Sequence, residues 1–100
     1  ALQVLPPAIL PRLISMFDST TPGMLADIRQ HADKGDLSAM GQAAHKLKGS
    51  CSSMGAIHMA NICKELQHKG ETGDASNLNE MVAELESIYP ATLAALKQAA

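Results

Sequence analysis

Between Leu37 and Met54 the apolar residues fall at Leu37, Met40, Ala44, Leu47, Cys51 and Met54. Steps of three and four put them on one face of an α-helix and fit no strand register. The same spacing runs through Leu10, Ile14, Phe17, Thr21, Leu25, Ile28 and Ala32, then Met59, Ile62, Cys63 and Leu66, then Leu78, Val82, Leu85, Tyr89, Leu93 and Leu96. No apolar-polar alternation of period two interrupts it. With 46% apolar residues but one Phe, one Tyr and no Trp, the core must be built from Leu, Ile, Ala and Met, which suits packed helices.

Breaker residues divide the stripes. Pro6 and Pro7 mark the start of a first helix over about residues 7 to 34. Its phase is unbroken through Pro22, which predicts one long helix kinked near Ser19 to Pro22, with a split into two helices as the alternative. Gly35 ends it, and Asp36 is placed to cap a second helix over about residues 37 to 54, closed by Gly55. A third helix covers about residues 56 to 69 and stops at Gly70. After the polar connection Glu71 to Asp74, one of Asp74, Ser76 or Asn77 caps a last helix over about residues 76 to 98, which Pro90 kinks or divides. Short connections imply antiparallel neighbours. The expectation is all-α: an antiparallel up-down four-helix bundle forming one domain over residues 1–100. Such a bundle buries all four stripes internally, which favours a monomer.

A formal net charge of −2, with no basic stripe and few aromatics, argues against nucleic acid and against a polybasic membrane contact. No run reaches transmembrane length, and no signal segment opens the chain. Cys51 and Cys63 fall on core stripes, so buried free thiols in a reducing compartment are expected rather than a disulfide. The chain opens on Ala1, which suggests a piece of a longer protein.

His45 departs from the core pattern. It lies about 130° from the centre of its stripe and should project into water. Gly41 and Gly49, four residues before and after, leave the imidazole uncovered, although each costs ~1 kcal/mol relative to alanine inside a helix. Lys48 sits one turn on, where an ammonium could neutralise a group attached to the ring. Ser52 is a further small neighbour, and Lys46 a solvated charge within reach of a partner. An exposed, uncrowded imidazole can be a nucleophile, a general base or a metal ligand. With Lys48 as counter-charge and Gly49 as clearance, these surroundings fit a histidine that receives a phosphoryl group.

The run His45-Lys46-Leu47-Lys48-Gly49-Ser50 with Gly55 following resembles the signature of histidine-containing phosphotransfer (HPt) domains of bacterial and fungal phosphorelays. That pattern is a histidine, a lysine three on, a glycine next, then a small residue, and a glycine ending the helix. The likeness extends through Lys34-Gly35-Asp36, Ala43 and Ala44, and covers nearly all of the chain. It implies that His45 is phosphorylated by the aspartate of a receiver domain and passes the group to another receiver, with Lys48 steadying the phosphate. It also implies that Gln67, on the shoulder of the third helix, hydrogen-bonds near the histidine. Where some members carry a basic residue near the site, this chain has Glu71. The outward Nε2 would carry the phosphate, with Nδ1 held by a hydrogen bond.

The resemblance implies no cofactor in this domain, with Mg²⁺ on the partner receiver, and no kinase activity. The chain has neither a glycine-rich nucleotide loop with its lysine and hydroxyl nor a carboxylate cluster for Mg²⁺. It further suggests the C-terminal module of a bacterial hybrid sensor histidine kinase, cytoplasmic and part of a membrane-bound parent. Two other readings compete. One is a helical interaction module in which His45 has no chemistry; the other is a bundle holding a metal through Cys51, Cys63 and a histidine. The latter lacks any C-x-x-C, H-E-x-x-H or E-x-x-H element. His31, His58 and His68 share no motif and read as surface residues.

Overall fold

Each stripe becomes the buried face of one helix in a computed structural model that describes residues 9–99. Pro6 and Pro7, expected to start the first helix, lie outside the described residues. The helices are α1 (Ile9–Asp33), α2 (Leu37–Met54), α3 (Ile57–Thr72) and α4 (Leu78–Ala99), with no strand among the described residues. Consecutive helices pack side by side, α1 closes against α4, and the α2–α3 pairing is the most extensive. Ile28, Met40, Leu47, Met59, Leu66 and Leu85 are fully buried at the centre, each contributing about 1.5–3 kcal/mol by leaving water.

The turns follow from local chemistry. Asp36 caps α2 by accepting the Ala39 N–H at 3.1 Å. Gly55 ends α2 in the left-handed conformation, φ 74°, where a side chain would be strained.

Gly70 does not stop α3. The helix runs through it to Thr72, and Gly73 supplies the left-handed cap at φ 72°. α4 begins at Leu78, with the Asn77 carbonyl accepting the Met81 N–H at 3.0 Å. Asp74 accepts the Ser76 N–H at 2.9 Å and the Ser76 hydroxyl at 2.6 Å, a local turn that occupies its carboxylate. Lys69, on the core side of α3, crosses under this turn. Its ammonium donates to the Ser76 carbonyl at 2.6 Å and to Asp74 at 3.4 Å. Ser76, more than any other group, holds the Asp74 carboxyl down at about 2, with Lys69 adding to the effect.

Neither internal proline divides its helix: α1 continues through Pro22 and α4 through Pro90. Pro22 has no N–H to offer the Asp18 carbonyl one turn back. The Tyr89 hydroxyl of α4 donates to that carbonyl at 3.3 Å. Beside Pro90, the Thr92 hydroxyl donates to the Ile88 carbonyl at 2.8 Å. At Pro22 a side chain of another helix thus supplies the donor that the backbone lacks, whereas the Thr92 bond is the ordinary i to i−4 contact of a helix hydroxyl.

Candidate functional site

α2 and α3 together present His45 at the surface. His45 is exposed, Lys48 half-buried one turn further along α2, and Gln67 half-buried on the facing shoulder of α3. Gln67 Oε1 lies 3.0 Å from His45 Nδ1 and 3.0 Å from Lys48 Nζ. Lys48 can only donate, so the atom it meets is the amide oxygen, and an oxygen meeting a ring nitrogen requires that nitrogen to carry the proton. In its neutral form His45 is therefore the Nδ1–H tautomer, and its Nε2 lone pair has no hydrogen-bond partner among the described residues. The triad costs no buried charge, because the ammonium remains partly in water.

The ring borders a shallow concavity that includes Lys46, Gln67 and Glu71 with Ser38 and Gln42 of α2. Lys46 and Ser52 are exposed, as is Glu71. A side chain at Gly49 would meet nothing within 4 Å, so the space past the ring is open there. Gly41 differs. Sequence spacing pairs it with Gly49 as clearance, but it is buried, and a Cβ on it would meet Gly70 Cα at 3.0 Å and the Gln67 carbonyl at 3.3 Å. Its missing side chain is used by α3.

The other candidate groups stand apart. Cys51 and Cys63 are buried and free. The Cys63 thiol is pushed up by its hydrogen bond to Cys51 and by burial, which keeps it protonated and unreactive. His58 meets Glu84 of α4 at 3.3 Å on the surface, a pairing across helices that spacing along one helix does not reveal. Among the described residues no three His, Cys, Asp or Glu side chains converge to hold a metal ion.

Sequence reasoning missed Gly70 and Lys69 as elements of this end of the bundle. Nothing in their own helix marks them: Gly70 reads as a stop and Lys69 only as the last residue before it, and the neighbouring helix or turn defines each. No helix among the described residues is long and apolar enough to cross a membrane.

Among family models, the one described as "Hpt domain" matches residues 12–99. That span takes in His45, Lys48 and Gln67. No curated protein and no solved structure gave a match.

Proposed function

The chain belongs to the Hpt domain family, whose members carry out histidine phosphotransfer in phosphorelays, and from that premise we propose that His45 is the residue that carries the phosphoryl group. The observation that supports it is the His45–Gln67 bond at 3.0 Å, because it leaves a lone pair on the solvent-facing Nε2.

Hpt domains interact with receiver domains, and the donor here is a receiver's aspartyl phosphate. Nε2 attacks phosphorus in line with the acyl oxygen; the N–P bond forms, the P–O bond breaks, and the aspartate leaves as a carboxylate. The ring acquires positive charge as this happens. Its Nδ1–H then becomes a charge-assisted donor to Gln67, so the bond strengthens in the transition state rather than before it.

Lys48 supplies positive charge one turn away for the incoming phosphoryl oxygens, and Gly49 leaves them room. The reverse sequence returns the group to another receiver. Catalysis on this side is positioning and charge neutralisation; the partner brings the acidic site and its Mg²⁺. Placement at the C-terminal end of a hybrid sensor kinase fits this role, and a kinase chain with its own ATP site would then feed the relay.

The test is transfer of labelled phosphate from a phosphorylated receiver to the wild type and to His45→Gln. Acid-labile, alkali-stable label on the wild type alone is expected, with stability changed by less than about 0.5 kcal/mol because the ring is exposed. Equal label on both proteins would move the chemistry to another residue. No label on either folded protein, with several receivers, would favour the interaction module.

A further inference from the structure

Gly70 is helical and has no positive φ, so its own backbone would accept alanine and gain ~1 kcal/mol in helix propensity. The neighbouring helix forbids it. A Cβ at Gly70 would stand 2.6 Å from the Leu37 carbonyl oxygen, 2.8 Å from Gly41 Cα and 3.1 Å from Gly41 N, all backbone atoms that no rotamer change can move. A Cβ at Gly41 would stand 3.0 Å from Gly70 Cα.

Two glycines on facing helices thus let the α2 and α3 backbones touch. Gly41 lies one turn before His45, and Gly70 nearly one turn after Gln67. The backbone contact and the His45–Gln67 bond are neighbouring rungs across one seam, about 6 Å apart along α2.

Resting on the phosphotransfer reading of His45, we infer that Gly41 and Gly70 are positioning residues: their missing side chains set the α2–α3 separation at which Gln67 holds His45 in the Nδ1–H form. Relieving the 2.6 Å contact to an ordinary 3.4 Å would part the backbones by roughly 0.8 Å. A hydrogen bond of 3.0 Å does not survive that opening. Once Gln67 no longer selects the tautomer, the proton distributes over both ring nitrogens, and the fraction of molecules with a free Nε2 lone pair falls. Lys48 loses its anchor on the same oxygen. The glycine pair touches neither the phosphoryl group nor the partner; it acts through Gln67.

The tautomer can be read without any phosphate, from the long-range proton–nitrogen correlations of the neutral His45 ring in nitrogen-15-labelled protein. The wild type is expected to show the Nδ1–H form. Gly70→Ala should show a mixture containing Nε2–H, together with transfer from a phosphorylated receiver slowed about tenfold. Gly41→Ala should shift both readings in the same direction by less, and it decides the matter if Gly70→Ala does not fold. Gly23→Ala, at an exposed glycine of α1 with nothing within 4 Å, should change neither.

An unchanged tautomer in folded Gly70→Ala and Gly41→Ala would overturn the positioning role even if the wild type transfers normally. An equal shift in Gly23→Ala would overturn it too. A wild type that takes no label overturns the phosphotransfer reading instead, and leaves the tautomer result standing.

Discussion

Along the α2–α3 seam the backbones meet through Gly41 and Gly70, and the polar groups sit at the rim, where His45, Gln67 and Lys48 share one oxygen. Along the α1–α4 seam large side chains stand between the helices. Phe17 meets Tyr89 edge-on with ring centroids 5.8 Å apart, the Tyr89 hydroxyl reaches the Asp18 carbonyl, and Arg29 clasps Glu86 with two hydrogen bonds of 2.8 and 3.2 Å. The Arg29 guanidinium holds the Glu86 carboxyl below its usual range.

The first seam is the most extensive in the bundle, and at its rim it fixes an exposed ring to within a hydrogen bond's tolerance. The second commits its polar groups to joining helices and presents no nucleophile. One small bundle can therefore position a reactive ring at the rim of one seam while polar and aromatic side chains tie the helices of the other.

That division is broken most severely by Tyr89→Ala. Loss of the ring and of the Asp18 contact should cost about 3 kcal/mol in urea unfolding followed by far-ultraviolet circular dichroism. Transfer per folded molecule should stay near wild type. If transfer fell with stability in a sample still folded, the two seams would be mechanically linked.

Gln67→Ala is the complementary change. It should slow phosphotransfer about tenfold, equivalent to ~1.4 kcal/mol in the barrier, while altering stability by less than about 1 kcal/mol. A large stability loss with normal transfer would reverse the assignment of roles.

Acid gives the smallest and most local effect. Asp74 is held at about 2 against an ordinary value of 3.8, so its ionised form favours the folded state. The contribution is complete above pH 4 and disappears as pH falls towards 2. Glu86 is shifted in the same direction, and the comparison must separate the two. Asp74→Asn should lose less stability than the wild type between pH 5 and pH 2.5, with the remainder assigned to the α1–α4 seam. An identical loss in both would place the whole acid response outside the Lys69–Asp74 turn.

Much of the architecture was legible because a period of 3.6 is a local property. Ile14, Phe17, Leu25, Met40, Leu47, Leu66 and Val82 could each be placed inward from spacing alone, and each is buried. His45 was legible for the converse reason, a ring off the stripe beside a glycine. Its bond to Gln67 was implied by family resemblance; spacing could say no more than that Gln67 lies on a shoulder.

Gly70 was misread as a helix stop because a glycine that ends a helix and one that admits a neighbouring backbone look alike in one dimension. Asp18, whose carbonyl Pro22 leaves free, lies 71 residues from Tyr89. Their contact depends on how two helices dock, which no window along the chain contains.

Tyr89 is the only tyrosine, and the chain has no tryptophan. Near-ultraviolet light tuned to phenol therefore excites a single emitter, seated on the α1–α4 seam with its hydroxyl tied to a backbone carbonyl. The protein comes with an optical strain gauge mounted on the seam away from the imidazole. Intensity that stays level while His45 gains and loses its cargo would identify a rigid carrier; a change in step with loading would mean that receivers can sense charge on the ring through the shape of the whole bundle.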